Sequence, residues 1–330
     1  MLVQGPGAVG IWVATSLAEF WGVDRVALLD HRADRVARLA RTGASRVVGG
    51  SPVRADQRTV LSIPVLGPDS SSEVGTFDLL IVCVKHRDLS RALEKGVRLL
   101  GVTGRVLVLA NGLGHARLLA EVWPSDGEVP TRRGGWVGSV TYGLSQREES
   151  ESRVVGEGIV RIASADVLGE NSATEEIVDL FRRAGIHAEG STDVEVLLWE
   201  KAVVNCAINP VAALIRVPNG ALLESDAWST VAELARETAR IGGAHLRASG
   251  RSESIVAEWE ERDWESVVAD VCRRTATNRC SMLRDLEEGR STEIDVLNLA
   301  VAARAEELNE TATLNGALGH LVRAAEERSS

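Results

Sequence analysis

The sequence predicts an α/β domain followed by an all-helical domain, and two observations carry this prediction. Up to about residue 191, short apolar runs of strand length alternate with segments of helical periodicity, as in a mostly parallel sheet covered by helices. From Asp193 onward only helical periodicity is found. Because the hydrophobic period changes there, we expect one domain over residues 1–191 and a second over residues 192–330.

Composition restricts the class of protein. The 330 residues carry a net charge of −10 without a basic cluster, which argues against a nucleic-acid partner. No apolar run reaches the roughly 18 residues that span a bilayer, and we expect no signal peptide because the sequence opens directly into a glycine motif. The four cysteines form no C-x-x-C pair, which argues against a zinc or dithiol motif. We expect a cytoplasmic enzyme or binding protein with no metal and no membrane contact.

A glycine-rich loop lies between the first strand and a helix that is expected to run to Phe20. The loop consists of Gly5, Pro6, Gly7, Ala8, Val9 and Gly10. This spacing permits a tight turn and the close approach of a pyrophosphate to the helix N-terminus, as in a Rossmann unit. A second strand at 25–29 ends at Asp30, twenty residues after Gly10, where an acid commonly holds the adenosine ribose. The alternative is a glycine-rich turn without a ligand.

Two later strands end in polar residues. A buried apolar strand at 78–84 precedes Lys85, and another at 105–110 precedes Asn111 and Gly112. Open α/β sheets bind ligands at the carboxyl ends of their strands, so both side chains are expected on the cofactor side. Taken alone, Lys85 is better explained as a surface lysine, and Asn111 with Gly112 as a simple turn, but less so when both lie at matching strand ends.

The other elements of the first domain continue the alternation. Helices are expected at 34–41, 89–100 and 174–184, and extended segments at 60–66 and 186–188. Strands at 136–142, 153–155 and 158–163 are expected to be antiparallel at the edge of the sheet. In the second domain, helices are expected at 193–209, 225–249, 263–275, 278–287, 292–308 and 315–327.

The first helix of the second domain carries a row of polar residues. Lys201, Asn205 and Asn209 are spaced four apart and share a face, and we expect the helix to end at Pro210, which lacks a backbone donor. A polar row in so apolar a segment indicates a lined pocket. The alternative is a solvated lysine beside two structural asparagines.

Lysine is scarce in this chain, which favours a chemical role for Lys201. Of the 37 basic residues only Lys85, Lys95 and Lys201 are lysines. Arginine cannot release its proton near neutrality, whereas lysine can. Glu293 follows Ser291 and Thr292 at the predicted start of a helix, which alone is an ordinary favourable interaction with the helix dipole.

Together these motifs resemble the ketopantoate reductase (2-dehydropantoate 2-reductase) family over nearly the whole chain. Besides the glycine loop, the shared segments are Val84-Lys85, Asn111-Gly112-x-Gly114, Trp199-x-Lys201-x-x-x-Asn205-x-x-x-Asn209-Pro210, Pro218-Asn219-Gly220, Ser281-Met282-Leu283-x-Asp285 and Thr292-Glu293-Ile294-Asp295. The resemblance implies a Rossmann domain followed by a helical domain arranged as in 6-phosphogluconate dehydrogenase. It also implies NAD(P)H-dependent reduction of ketopantoate to pantoate in pantothenate and coenzyme A synthesis.

The resemblance further implies roles for individual residues. Lys201 would act as the general acid on the ketone oxygen, with Glu293 positioning it or contacting the cofactor. The substrate would be held by Asn111, Lys201, Asn205, Asn209, Asn219 and Ser281. The cofactor would be contacted by the glycine loop, Asp30, Arg32, Lys85, Asn111 and Glu293.

Several alternatives stay open at this point. The family generally uses NADPH, gripped by an arginine after the second strand, but here Asp30 would repel a 2′-phosphate. Arg32 or Arg35 could compensate, so NADPH and NADH are both candidates. Two other functions are reduction of a different 2-keto acid and a catalytically silent NAD(P)-binding redox sensor. The oligomeric state is open, with a homodimer as one candidate.

Overall fold

The chain divides into two compact units in the computed structural model. The N-terminal unit comprises Met1–Ala110 and Gly114–Val194, and the C-terminal unit comprises Asn111–Leu113 and Glu195–Ser330. The structure describes residues 1–49, 56–68, 77–122, 134–146, 148–165 and 171–329.

The N-terminal unit alternates strands and helices from its first residues. Its strands are β1 (Leu2–Gln4), β2 (Ala27–Leu29), β3 (Ala44–Val48), β4 (Gln57–Leu61), β5 (Val65–Leu66), β6 (Phe77–Val82), β7 (Leu100–Val108), β8 (Gly135–Val140), β9 (Gly143–Ser145), β10 (Glu151–Gly156), β11 (Val160–Ser164) and β12 (Ala188–Ser191). Its helices are α1 (Ala8–Trp21), α2 (Ala33–Thr42), α3 (Leu89–Gly96), α4 (His115–Val122) and α5 (Asn171–Arg183).

An eight-stranded sheet forms the centre of this unit, in the order β12-β11-β8-β7-β6-β1-β2-β5. The six strands from β8 to β5 pair in parallel. Their order is that of a doubly wound dinucleotide-binding sheet. Apolar residues of the central strands pack with those of α1 and α5 in one buried cluster, which includes Val3, Ile81, Ile11 and Phe181. The prediction of a Rossmann-type α/β domain is confirmed.

The prediction of three antiparallel edge strands is wrong in part. β11 is antiparallel to β8, but β8 itself is parallel to β7. β10 belongs to a second sheet, of order β4-β3-β10-β9, in which it runs parallel to β3. This sheet was not predicted because β3 is short and carries polar Ser45 and Arg46. The extended segment expected at 60–66 is divided between the two sheets, as β4 and β5.

The C-terminal unit is built from helices, and its described residues contain no strand. After α6 (Val194–Ile215) follow α7 (Trp228–Ala248), α8 (Glu253–Glu261), α9 (Trp264–Arg274), α10 (Ser281–Glu287), α11 (Asn298–Glu307) and α12 (Thr313–Ser329). Short 3₁₀ segments lie at Asn219–Glu224 and Ile294–Val296. Trp199 of α6 belongs to an apolar cluster that also contains Leu234 of α7 and Val301 of α11.

The expectation that the helix carrying the polar row ends at Pro210 is wrong. α6 continues through Pro210 to Ile215. Proline removes the N–H that would bond to the carbonyl of Cys206, four residues earlier. In the structure Asn298 Nδ2 donates to this carbonyl oxygen at 3.0 Å, so the acceptor is satisfied by another helix. α6 ends instead where Arg216 adopts a left-handed conformation, with φ 59°.

The apolar character of α6 also corrects the expectation about membrane-spanning segments. Among the described residues, α6 is the one helix long and apolar enough to cross a bilayer by length and composition. In the most apolar 18-residue stretch of α6, 61% is buried within the protein, as in a helix of a protein core. The four cysteines are free thiols, and Cys206, Cys272 and Cys280 are buried.

Candidate active site

The glycine loop in the N-terminal unit has the geometry of a phosphate cradle. Gly5 has φ +89°, and a Cβ atom at this residue would lie 2.7 Å from Val84 Cγ1. A Cβ at Gly10 would lie 2.1 Å from the carbonyl oxygen of Gly5, so the turn requires glycine at both positions. Gly7 has nothing within 4 Å of its Cβ position, which leaves room for a ligand to approach the backbone. The fit of the loop to a dinucleotide pyrophosphate is therefore good.

The start of α1 adds a second feature suited to an anion. Gly7 occupies the N-cap position, and no side chain caps the helix. The first turn contains no acidic residue. Since the first N–H groups of a helix lack internal partners and carry partial positive charge, they are suited to bind phosphate oxygens.

Asp30 lies at the carboxyl end of β2, and its carboxylate is held by a neighbouring guanidinium group and a backbone N–H. The residue is 2% exposed. One carboxylate oxygen accepts from the backbone N–H of Arg32 at 3.1 Å, and the other forms an ion pair with Arg35. Arg35 is thus engaged with Asp30.

Arg32 is held by two acids of the same unit. Its guanidinium pairs with Asp34, and Nη1 lies 2.8 Å from Glu149 Oε1. Glu149 also lies 3.3 Å from Arg38. Glu149 was not predicted as a partner of Arg32, because it lies more than a hundred residues away in the chain, in the loop before β10.

A cavity of about 140 Å³ lies beside Asp30 and the glycine loop. Its lining includes Gly5, Leu29, Asp30, His31, Arg91 and Lys95. The position next to the ends of β1 and β2, with a carboxylate in the wall, is the one that an adenosine ribose occupies in this fold.

Lys85 and Asn111 both follow parallel strands, as predicted, but they differ in their surroundings. Lys85 is half-buried after β6, and its carbonyl oxygen accepts from Asp88 N at 2.9 Å. Asn111 groups with the C-terminal unit. Its Nδ2 donates to Glu293 Oε2 at 2.8 Å.

The segment around Asn111 is fastened to the backbone that follows Glu293. Leu113 N donates to Val296 O at 3.2 Å. Gly112 has φ +108°, and a Cβ atom there would lie 2.8 Å from Val296 Cγ2. Glycine at 112 is therefore required for this close approach, which keeps Asn111 beside Glu293.

Lys201 and Glu293 interact electrostatically within the C-terminal unit. Lys201 is half-buried on α6. Loss of solvent lowers the pKa of its ammonium group from 10.5 to about 8, and the charge of Glu293 opposes this decrease. Lys201 is therefore mostly protonated at neutral pH and yet close to the pH at which it can release a proton.

The remaining members of the predicted site occupy different environments within the same unit. Asn205 is half-buried and Asn209 is 8% exposed on α6. Asn219 is 5% exposed, and its Nδ2 donates to Thr275 Oγ1 at 2.9 Å. Within the described part of the chain, the buried Asn219 Oδ1 has no hydrogen-bond partner. Ser281 is exposed at the first position of α10.

Cys280 connects the start of α10 to the polar row, which the sequence interpretation missed. Its thiol donates to the carbonyl oxygen of Asn209 at 3.7 Å and accepts from Leu283 N at 3.4 Å. Ser281 is the next residue, so the beginning of α10 is held close to the end of the row. Cysteine rarely serves as an N-cap, and nothing in its local sequence indicated this role.

Comparisons with known proteins show the family to which this chain belongs. The family model described as ketopantoate reductase PanE/ApbA matches residues 1–166, and that of its C-terminal part matches residues 193–326. The 2-dehydropantoate 2-reductase of Halobacterium salinarum is 32% identical over 99% of this chain and 98% of its own. That of Archaeoglobus fulgidus is 33% identical over 76% of each chain.

Solved structures show the same fold. A ternary complex of D-mandelate dehydrogenase with NADH and anilino(oxo)acetate has a TM-score of 0.83 at 20% identity, covering 100% of this chain and 99% of that one. A PanE/ApbA family ketopantoate reductase from Ralstonia eutropha has a TM-score of 0.78 at 24% identity, covering 99% and 98%.

Fold and site together define an NAD(P)-dependent oxidoreductase with a Rossmann-type domain and a helical domain. The chain belongs to the ketopantoate reductase family, whose members reduce ketopantoate to pantoate in pantothenate biosynthesis. The resemblance deduced from the sequence motifs is thereby confirmed.

Removal of the Glu293 charge is expected to shift the pH dependence of turnover. Because Glu293 raises the pKa of Lys201, Glu293→Gln lowers it, and the alkaline decrease in kcat/KM moves from near pH 8 to lower pH. The glutamine keeps an acceptor for Asn111. Initial rates from pH 5.5 to 10 measure the shift. Asp295→Asn, two residues away, is the control and should leave the profile unchanged; equal profiles for Glu293→Gln and wild type would contradict the assignment.

Gly10→Ala is expected to weaken cofactor binding. The added methyl group would meet the Gly5 carbonyl oxygen at 2.1 Å, so the loop must move. A displacement that costs about 1.4 kcal/mol raises the dissociation constant about tenfold. Titration of intrinsic fluorescence with NADH and NADPH measures it. Gly316→Ala, where a Cβ meets only Ala302 Cβ at 3.8 Å, is the control. Unchanged affinity in the Gly10 variant would refute the cradle.

Proposed function

We propose that this chain reduces ketopantoate to pantoate with a nicotinamide cofactor, and that Lys201 is the general acid. The observation that carries the proposal is the ammonium group of Lys201, desolvated on an apolar helix and opposed by a carboxylate that also binds Asn111. A proton donor with a pKa near the working pH is what reduction of a ketone requires.

We further propose a division of labour between the two domains. Residues 1–191 bind the dinucleotide, through the glycine loop, Asp30 and Lys85. Residues 192–330 bind the keto acid, together with Asn111. The glycine geometry and the uncapped α1 support the first assignment, and the polar row on α6 supports the second.

The protein supplies the proton and the electrostatic stabilisation of the reaction. When bound, the reduced nicotinamide supplies a hydride to the keto carbon. Lys201 Nζ donates a proton to the ketone oxygen as negative charge develops there, so the carbonyl becomes a secondary alcohol. Glu293 keeps Lys201 protonated against desolvation. Lys201 is reprotonated from solvent before the next turnover.

The substrate is held by neutral donors rather than by arginine. Amide N–H groups of Asn205 and Asn209 and the hydroxyl of Ser281 donate to the carboxylate and hydroxyl oxygens of the keto acid, and Asn219 Oδ1 accepts from its hydroxyl group. Because these groups are neutral, they bind the substrate without adding a positive charge that would compete with Lys201 for the Glu293 carboxylate. Asn219 is suited to accept from the substrate because its Nδ2 is engaged with Thr275, which leaves the buried Oδ1 as the available atom.

We propose NADH as the preferred cofactor. The Asp30 carboxylate is an acceptor, so it can bind a ribose 2′-hydroxyl but not a deprotonated 2′-phosphate. Arg35 is paired with Asp30, and Arg32 with Asp34 and Glu149. Arg91 and Lys95 bring positive charge to the cavity wall, but a phosphate there would still lie against Asp30.

A cytoplasmic location and a homodimer stay predictions, as does the absence of nucleic-acid and membrane partners. A small 2-keto acid is the substrate class of the family.

Substitution of Lys201 tests the acid directly. Lys201→Ala is expected to lower kcat by about 10²–10⁴-fold, the usual contribution of a general acid. Lys201→Arg keeps the positive charge but cannot give up the proton near neutrality, so it should bind the keto acid and still fail to turn it over.

The measurement is oxidation of NADH and NADPH with ketopantoate and a panel of other 2-keto acids. Turnover by Lys201→Arg at the wild-type rate would refute the acid role. A wild type that prefers another 2-keto acid would correct the substrate, and a wild type that binds NADH but reduces no member of the panel would favour a redox sensor.

The acids around Arg32 provide a test of cofactor preference. The wild type is expected to use NADH with the higher kcat/KM. The double variant Asp34→Asn/Glu149→Gln frees the Arg32 guanidinium, so kcat/KM for NADPH should rise several-fold while that for NADH changes little. Glu148→Gln, an exposed neighbour, is the control. A strong wild-type preference for NADPH would overturn the argument from Asp30.

A further inference from the structure

Pro210 leaves one buried carbonyl of α6 without its ordinary helical donor. In an α-helix the N–H of residue 210 would donate to the carbonyl oxygen of Cys206, but proline has no N–H. Cys206 is fully buried, so water cannot replace this donor. A buried carbonyl without a partner is costly to the folded state, so the fold has to supply another donor.

Asn298 supplies the missing donor. Its Nδ2 donates to Cys206 O at 3.0 Å and to Asn315 Oδ1 at 2.9 Å. The side chain is 0% exposed, at the first position of α11. The side-chain amide of Asn298, on α11, therefore replaces the backbone N–H that α6 lacks at Pro210.

The Asn298 amide is itself held in place by a buried network. Asn315 Nδ2 donates to Glu237 Oε1 at 2.9 Å and to Thr238 Oγ1 at 3.1 Å. The backbone N–H of Asn315 donates to the same Glu237 oxygen at 2.8 Å. Thus α7, α11 and α12 together fix the direction from which Asn298 approaches Cys206.

The carbonyl that Asn298 binds lies within the turn of α6 that carries the substrate residues. Cys206 follows Asn205 directly and precedes Asn209 by three residues. Three residues further along α6, the carbonyl oxygen of Asn209 accepts from the thiol of Cys280. Lys201 lies little more than one turn before Cys206, on the same continuous helix.

We propose that Asn298 is a positioning residue for ketone reduction. By donating to the Cys206 carbonyl it holds the turn that presents Asn205 and Asn209, and so aligns the keto group with Lys201. Asn298 does not itself touch the substrate. The proposal rests on the proposed function, since it assigns the consequence of this hydrogen bond to the geometry of the keto acid.

The test exploits the fact that Pro210 created the need for Asn298. Asn298→Leu removes the donor at similar volume and is expected to lower kcat/KM about tenfold to a hundredfold, the usual effect of a misplacement near 1 Å. Pro210→Ala restores the backbone N–H to Cys206. In the Pro210→Ala background the Asn298→Leu effect should therefore shrink to a few-fold.

Two further readouts separate positioning from general damage. The cofactor dissociation constant should stay at the wild-type value in Asn298→Leu and in the double variant with Pro210→Ala. In Asn298→Leu alone, KM for the keto acid should rise and kcat should fall. Hydrogen exchange of α6 should increase around Cys206 in Asn298→Leu and return towards wild type in the double variant. Val301→Ala removes buried methyl groups from α11 outside this network, so it controls for general loss of packing and should retain at least half of the wild-type kcat/KM.

Each outcome decides the proposal. A folded Asn298→Leu with kcat/KM within about twofold of wild type would overturn it, and so would an equal loss in both proline backgrounds. If Asn298→Leu does not fold, rescue of folding by Pro210→Ala supports the role of the Cys206 bond, whereas failure in both backgrounds refutes it. Absence of wild-type turnover with every 2-keto acid would refute the proposed function, while the exchange measurement still decides whether Asn298 holds α6.

Discussion

The charge interaction between Lys201 and Glu293 is the constraint on which the proposed chemistry of the C-terminal unit depends. An ammonium group on an apolar helix loses solvent and with it part of its affinity for the proton, and a carboxylate restores part of that affinity. The same carboxylate accepts from Asn111, which follows the strand β7 in the chain. One acid thus tunes the proposed proton donor and fixes the asparagine.

Backbone segments of the C-terminal unit approach closely at two glycines. Gly112 permits the 111–113 segment to pack on Val296, and Gly220 permits the segment after Pro218 to pack on Ala276, where a Cβ would lie 2.6 Å from Ala276 Cβ. On α6, Asn298 donates to the Cys206 carbonyl that Pro210 leaves without a backbone donor. The thiol of Cys280, at the start of α10, donates to the carbonyl oxygen of Asn209. Polar side chains in this unit therefore supply hydrogen bonds to backbone carbonyls of α6, including one that the helix cannot make itself.

The sequence predicted the parts of the molecule that depend on local pattern. Alternating periods predicted the parallel sheet, the glycine spacing predicted the turn before α1, and the scarcity of lysine drew attention to Lys201. The second sheet, the partners of Arg32 and the passage of α6 through Pro210 were not predictable in the same way. Each depends on residues distant in the chain: β10 for β3, Glu149 for Arg32, and Asn298 for Cys206. Local propensity says that proline ends a helix, but a tertiary donor overrides it.

The central claim is that Lys201 has a pKa near 8 because it is desolvated and opposed by Glu293, and it can be measured directly. The chain has only three lysines, so its ¹³Cε-lysine NMR spectrum contains three resonances, which Lys85→Arg and Lys95→Arg variants assign. Titration should show the Lys201 signal moving with a midpoint at about pH 8. In Glu293→Gln the midpoint should be lower still. A midpoint for Lys201 at the ordinary lysine value of about 10.4 would contradict the account.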